Sequence, residues 1–122
     1  MEFYFSSEGK MPGYEYYSDL DEAGKRRFFV VVGHFAESSF GTIFPKVIYN
    51  IEDKNNGIYV LKPSAHRFFC FTTADRKLII TNAYRKSAQK MTKKDRMVLE
   101  VAIRMKRDYE TRTKGGTYYE SR

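Results

Sequence analysis

The sequence predicts an α+β fold, a small antiparallel sheet with helical segments near both ends of the chain. Three observations predict it. Apolar runs at 58–62, 66–72 and 78–84 are separated only by short polar turns, as in an antiparallel meander. Amphipathic patterns at 19–36 and 93–111 have the period of a helix. The length of 122 residues suits one domain, which would bury roughly two-thirds of its unfolded surface.

The chain begins with an aromatic segment at 2–5, which favours a short strand. Residues 6–17 are expected to form a loop because they include residues that interrupt regular structure: Gly9, Pro12 and Gly13. Ser18 is the expected N-cap of a helix over about 19–36, whose acidic start suits the helix dipole. The run at 28–32 would also suit a buried strand, so helix and strand remain alternatives over 26–36, with the helix preferred.

The second half is more regular. Residues 37–56 should be mostly loop, with a possible short strand at 47–51. Pro63 should end the strand at 58–62, and the strand at 66–72 should be central because it is apolar on both faces. Thr92 and Asp95 have the spacing of a capping box for the helix at 93–111. We expect a single domain over 1–114 and a flexible tail over 115–122.

The surplus of positive charge is confined to one region. Residues 84–114 contain eleven Lys or Arg against four Asp or Glu, whereas residues 1–83 contain ten of each sign. The net charge of +7 is therefore regional. A concentrated positive surplus indicates an anionic partner, either nucleic acid or an acidic protein.

Other features limit the class of protein. No apolar run is long enough to cross a bilayer, and the N-terminus lacks the order of a signal peptide. The single cysteine, Cys70, is expected to be a buried apolar residue and fits the reducing cytoplasm. No spacing of His and Cys indicates a metal site, so neither a metal nor a cofactor is expected.

Cations at three strand ends are the main candidates for a site. Arg67 should project from the same face as Phe69 and Phe71, and a guanidinium fork suits phosphate. The alternative is an arginine that extends to water or pairs with an acidic side chain at its strand end. Lys62 and Lys86 end the neighbouring strands, so all three could converge on one surface, although strand ends also carry cations merely for solubility. Tyr84 adjoins the basic turn and could stack on a base.

Several motifs, in this order, resemble the RelE/ParE superfamily of toxins in type II toxin–antitoxin pairs, and the phage-derived HigB-like branch most closely. These motifs are GIYVLK at 57–62, HRFFCF at 66–71, LII at 78–80 and YRKSAQK at 84–90. The positions that match the family's functional motifs are Arg67, Tyr84, Lys86, Gln89 and Lys90, and Lys62 stands where the branch has an Arg. The positions that depart from them are His66, Ser87, Ala88 and Thr92, where the branch has Tyr, Lys, Thr and Pro.

The resemblance implies a small twisted antiparallel sheet with an N-terminal helix or helices and a C-terminal helix. It also implies metal-independent cleavage of mRNA, usually on the ribosome, and a cognate antitoxin protein as partner. By resemblance, Arg67 would stabilise the charged phosphorane, and Lys86 would hold the phosphate or assist proton transfer. Tyr84 would stack on a base or orient the phosphate. The implied RNA-binding residues are Lys62, Arg85, Gln89 and Lys90.

Two other functions remain open. A ParE-like protein with the same fold would poison a topoisomerase instead of cleaving RNA. A non-catalytic nucleic-acid-binding module would require only the charge.

Overall fold

A computed structural model describes residues 1–38 and 49–119 of the chain. In chain order the elements are β1 (Glu2–Phe3), α1 (Pro12–Ser18), α2 (Glu22–Ser38), β2 (Tyr49–Asp53), β3 (Ile58–Leu61), β4 (His66–Thr72), β5 (Leu78–Arg85) and α3 (Lys93–Lys114). The predicted α+β fold is confirmed. Residues 39–48, within the predicted loop at 37–56, and residues 120–122 of the predicted tail lie outside the described residues.

The sheet has the strand order β1-β5-β4-β3-β2. Strands β2 to β5 pair with antiparallel neighbours, as the short connections predict, and β4 lies in the middle. The N-terminal strand β1 is shorter than predicted and pairs in parallel with β5, so the sheet is mixed. The possible strand at 47–51 corresponds to β2.

Each face of the sheet carries its own apolar core. On one face, Phe28 and Val31 of α2 pack with Phe68 of β4. On the other face, Leu99 of α3 packs with Phe69 of β4. Alternate residues of the central strand therefore enter opposite cores, which explains why its sequence is apolar almost throughout.

The segment at 26–36 is helical. Phe28 and Val31 are fully buried, while Phe29 and Val30 between them are about half exposed, which is the spacing of a helix face and not the alternation of a strand. The predicted cap was wrong. The Ser18 hydroxyl donates to the carbonyl of Glu15 within α1, whereas an Asp21 carboxylate oxygen accepts from the backbone N–H of Gly24 at the start of α2.

The helix α1 corrects the predicted loop at 6–17. Pro12 occupies its first turn, where the missing N–H costs nothing. Gly13 allows the helix to lie directly on β5, because a Cβ there would be 3.1 Å from Ile80 Cγ2 and 3.2 Å from the carbonyl oxygen of Thr81. The helix is thus stabilised by a tertiary contact that no local pattern shows.

The helix α3 begins as predicted and ends later. Thr92 Oγ1 accepts from the Asp95 N–H, and an Asp95 carboxylate oxygen accepts from the Thr92 N–H, so the capping box is confirmed. The predicted flexible tail is wrong for residues 115–119. Tyr118 is only 1% exposed and its ring centroid lies 4.2 Å from that of Phe5.

The expectation that Cys70 is a buried residue is confirmed. The side chain is fully buried, and burial raises the pKa of its thiol. Among the helices formed by residues 1–38 and 49–119, none is long and apolar enough to cross a membrane.

Candidate nucleic-acid interface

A cavity of about 240 Å³ lies at the end of the sheet, on the face that carries α3. We call it the α3-side cavity. Cations, polar side chains and apolar side chains from β2, β3, β4, β5 and the segment before α3 form its wall. The lining residues are Asn50, Glu52, Val60, Lys62, Arg67, Tyr84, Lys86, Gln89 and Met91.

The backbone explains why these side chains meet. Arg67 and Tyr84 are cross-strand partners in the register of β4 and β5, and such partners project from the same face. Lys86 is two residues beyond Tyr84, and its backbone N–H donates to the Ala65 carbonyl at 2.8 Å, which extends the pairing to the edge of the cavity. Lys62 directly follows β3. The structure therefore brings Lys62, Arg67 and Lys86 around one space.

Arg67 is half-buried and tied to the turn that precedes β4. Its Nη1 donates to the carbonyl of Ser64 at 2.8 Å and to the carbonyl of His66 at 2.9 Å. Both hydrogen bonds that the guanidinium makes to described residues start from Nη1, so Nε and Nη2 can donate to a ligand. Two remaining donors on a fixed plane match two oxygens of a phosphate.

Tyr84 is a neutral donor in this setting. Burial, followed by the negative charges of Asp95 and Glu52, raises the pKa of its phenol to about 12. Its ring lies against Phe69, with the centroids 5.6 Å apart. The phenol therefore keeps its proton at neutral pH, and Tyr84 can orient a ligand by donating a hydrogen bond but cannot accept a proton as a phenolate.

Two polar residues of β2 in this cavity were missed by the sequence reasoning. Asn50 pairs with Val60 in the register of β2 and β3, which places it on the α3 side. Glu52 follows two residues later, beside an irregularity in that register. The Asn50 Nδ2 donates to the Ile51 carbonyl at 2.9 Å, and its Oδ1 is buried with no hydrogen-bond partner among the described residues. Side chains alternate between the two faces of a strand, so the position of Asn50 and Glu52 along β2 could have placed them on the α3 side. The predicted strand at 47–51 did not match the bounds of β2 closely enough to show this.

Two predicted RNA-binding residues do not line this cavity. Arg85 lies between Tyr84 and Lys86 in the chain and faces the other side of the sheet, where it lines a separate cavity with His66. Lys90 is exposed and lines neither cavity. Gln89 lines the α3-side cavity and is exposed. The alternation that placed Arg67 on its face also predicts the opposite orientation of Arg85.

The positive charges that line this cavity would favour a bound phosphodiester. Three cationic side chains border it, and a phosphorane carries more negative charge than the phosphodiester from which it forms. The carboxylate of Glu52 is close enough to affect the pKa of Tyr84, and a carboxylate can accept a proton from a hydroxyl group. Within residues 1–38 and 49–119 no group of three or more His, Cys, Asp or Glu side chains could hold a metal ion.

Comparison with known proteins finds no matching family model and no matching curated protein. The resemblance to RelE/ParE-type toxins is therefore carried by the motifs quoted above, and membership of that superfamily stays a prediction.

Proposed function

We propose that the chain is an endoribonuclease that cleaves mRNA and inhibits translation as the toxin of a type II toxin–antitoxin pair. The observation that carries the proposal is the arrangement of Lys62, Arg67 and Lys86 around one cavity, with Tyr84 at its wall. The order of the sequence motifs supports the same family. The proposed partners are mRNA on the ribosome and a cognate antitoxin, and the proposed compartment is the cytoplasm.

In the proposed reaction the ribose 2′-oxygen attacks the adjacent phosphorus while the bond to the 5′-oxygen breaks. The products are a 2′,3′-cyclic phosphate and a 5′-hydroxyl. The 2′-hydroxyl proton passes to the carboxylate of Glu52, and the leaving 5′-oxygen takes up a proton from the ammonium group of Lys86. Arg67 stabilises the charged phosphorane, a type of contact whose removal costs about 10²- to 10³-fold in rate. Lys62 binds the RNA backbone.

The test is controlled expression in a bacterial host, with growth, translation and transcript ends measured together. The wild-type chain should arrest growth and produce new transcript ends, and the double variant R67A/K86A should do neither. The matched control is K94A/R104A, which removes one Lys and one Arg from exposed positions of α3 that do not line the cavity. This control should remain toxic.

The alternatives give different results in the same experiment. Growth arrest that persists in R67A/K86A would contradict the assigned roles. DNA-damage signalling without transcript cleavage would favour a topoisomerase poison. Salt-dependent RNA binding without cleavage or toxicity would favour a non-catalytic binding module. The decrease of affinity with salt depends on the number of phosphate contacts and does not require cleavage.

A further inference from the structure

A second cavity, of about 360 Å³, lies at the same end of the sheet on the face that carries α2. We call it the α2-side cavity. Arg27 of α2, Arg85 of β5 and His66 of β4 contribute to its wall, together with the turn at 64–65. It is separate from the α3-side cavity, with which it shares no lining residue.

The two arginines of this cavity are available to a ligand. Arg27 and Arg85 are both exposed, and neither makes a hydrogen bond or ion pair to any residue in the described part of the chain. Asp21 also lines the cavity, but its Oδ1 accepts from the Gly24 N–H at 2.7 Å and so is held at the start of α2. The two guanidinium groups have no partner among the described residues, and the only carboxylate beside them, that of Asp21, accepts a backbone hydrogen bond. This cavity therefore has a surplus of positive charge.

His66 adds a polar group between these arginines and the sheet. Its Nδ1 lies 2.6 Å from the hydroxyl of Tyr16. Burial, followed by the positive charge of Arg85, lowers the pKa of the imidazole, so the ring is neutral at pH 7. When the phenol donates to Nδ1, the ring proton is on Nε2, which can then donate to an anion.

The two cavities are adjacent because consecutive residues face opposite ways. His66 lines the α2-side cavity and Arg67 the α3-side cavity. In the same way Arg85 lines the α2-side cavity and Lys86 lines the α3-side cavity. Only the end of the sheet, with the turn at 64–65, separates them. A polyanion with one charge per nucleotide can follow such an edge from one face to the other.

We propose that Arg27, Arg85 and His66 form a second phosphate-binding site, which holds a flanking phosphate of the same RNA strand whose cleaved phosphodiester lies in the α3-side cavity. This inference rests on the proposed endoribonuclease function. It makes the bound RNA longer than a dinucleotide and makes it turn around the end of the sheet.

The test compares binding of single-stranded RNAs that carry 2′-O-methylribose at every position, so that no free 2′-hydroxyl can attack a phosphate and the strands cannot be cleaved. A dinucleotide and a longer oligonucleotide are titrated at several salt concentrations into the wild-type chain and the variant R27A/R85A. For the longer oligonucleotide, the slope of log affinity against log salt should fall by about 0.7 in the variant, because the contact to one phosphate of a single strand is lost. Affinity for the dinucleotide should be unchanged.

The matched control is R26A/R104A, which removes two exposed arginines that line neither cavity. It should keep the wild-type slope. If R27A/R85A has the same slope as this control, the inference is overturned. The proposed function still stands in that case, provided that the wild-type chain binds the RNA and cleaves transcripts. If the wild-type chain binds neither RNA and cleaves no transcript, the proposed function fails and this inference fails with it.

Discussion

Tyr118 provides the sharpest test of the packing, because it lies in a segment expected to be flexible. Its hydroxyl oxygen accepts the backbone N–H of Phe5 at 3.1 Å, in a buried position. Its ring lies 4.2 Å from the ring of Phe5 and 4.5 Å from that of Tyr109, measured between centroids. The guanidinium of Arg112 lies 4.6 Å from the same ring. The C-terminal segment therefore fixes the chain just after β1.

Two substitutions separate these contributions. Y118F keeps the ring and leaves the Phe5 N–H without its acceptor, which should lower the free energy of unfolding by about 1–3 kcal/mol. Y118A also removes the ring from the core and should cost about 3–5 kcal/mol. Urea denaturation followed by circular dichroism measures both changes from the shift in midpoint at constant slope.

The control is Y14F, because Tyr14 is 47% exposed and its hydroxyl has no hydrogen-bond partner among the described residues. A surface change of this kind should stay within about 0.5 kcal/mol. If Y118F and Y14F have the same midpoint as the wild-type chain, the buried hydrogen bond to Phe5 does not contribute and the packing of the C-terminal segment is wrong.

Three further predictions concern the two cavities. R67K keeps the charge but loses the guanidinium plane, so transcript cleavage should fall by about 10²-fold, and equal rates would contradict the assigned role. E52Q removes a negative charge beside Tyr84, so it should strengthen RNA binding and lower the pKa of Tyr84. With Glu52 as the base, the same change should slow cleavage by about 10²-fold. Because the pKa of folded His66 is depressed, the unfolded chain takes up this proton first, and the free energy of unfolding should fall as the pH drops below about 6.5. The variant H66Q should show a smaller fall over the same pH range, and an unchanged pH profile would exclude His66 as its source.

The sequence predicted those elements whose signals are local. Pro63 ends one strand, and the capping pair Thr92 and Asp95 begins a helix, so neither boundary depends on distant contacts. The acidic start and the length of the segment favour a helix over a strand at 26–36. The exposure of Phe29 and Val30 between buried neighbours agrees with a helix that has one buried face. These features can be read one segment at a time.

The elements that sequence reasoning missed depend on contacts between distant segments. The short helix α1 has no apolar periodicity and is held by the close approach of Gly13 to β5. The two glycines at 115–116 suggested an unstructured end, but the aromatic pair after them includes Tyr118, which enters the core. In both cases a residue far away in sequence decides the structure.

The candidate site was predicted in part, for a related reason. Alternation along a strand is sufficient to place Arg67, Tyr84 and Lys86 on one face, and it also predicts that Arg85 is on the other. The contribution of Asn50 and Glu52 depends on the register of β2 against β3, which changes between Ile51 and Asp53. A register that includes an irregularity cannot be read from the alternation of one strand.

The burial and backbone support of the three cations argue against solubility as the reason for their presence. Cations that only keep a protein soluble extend into water and avoid one another. Lys62, Arg67 and Lys86 are instead half-buried around one cavity, and hydrogen bonds position two of them, from Arg67 Nη1 to the Ser64 carbonyl and from the Lys86 N–H to the Ala65 carbonyl. Holding like charges together costs free energy, which the carboxylate of Glu52 in the same cavity and the pairing of the strands help to offset. When an anion is bound, the same positive charges stabilise it. The donors are already in place, so they need no rearrangement as negative charge develops.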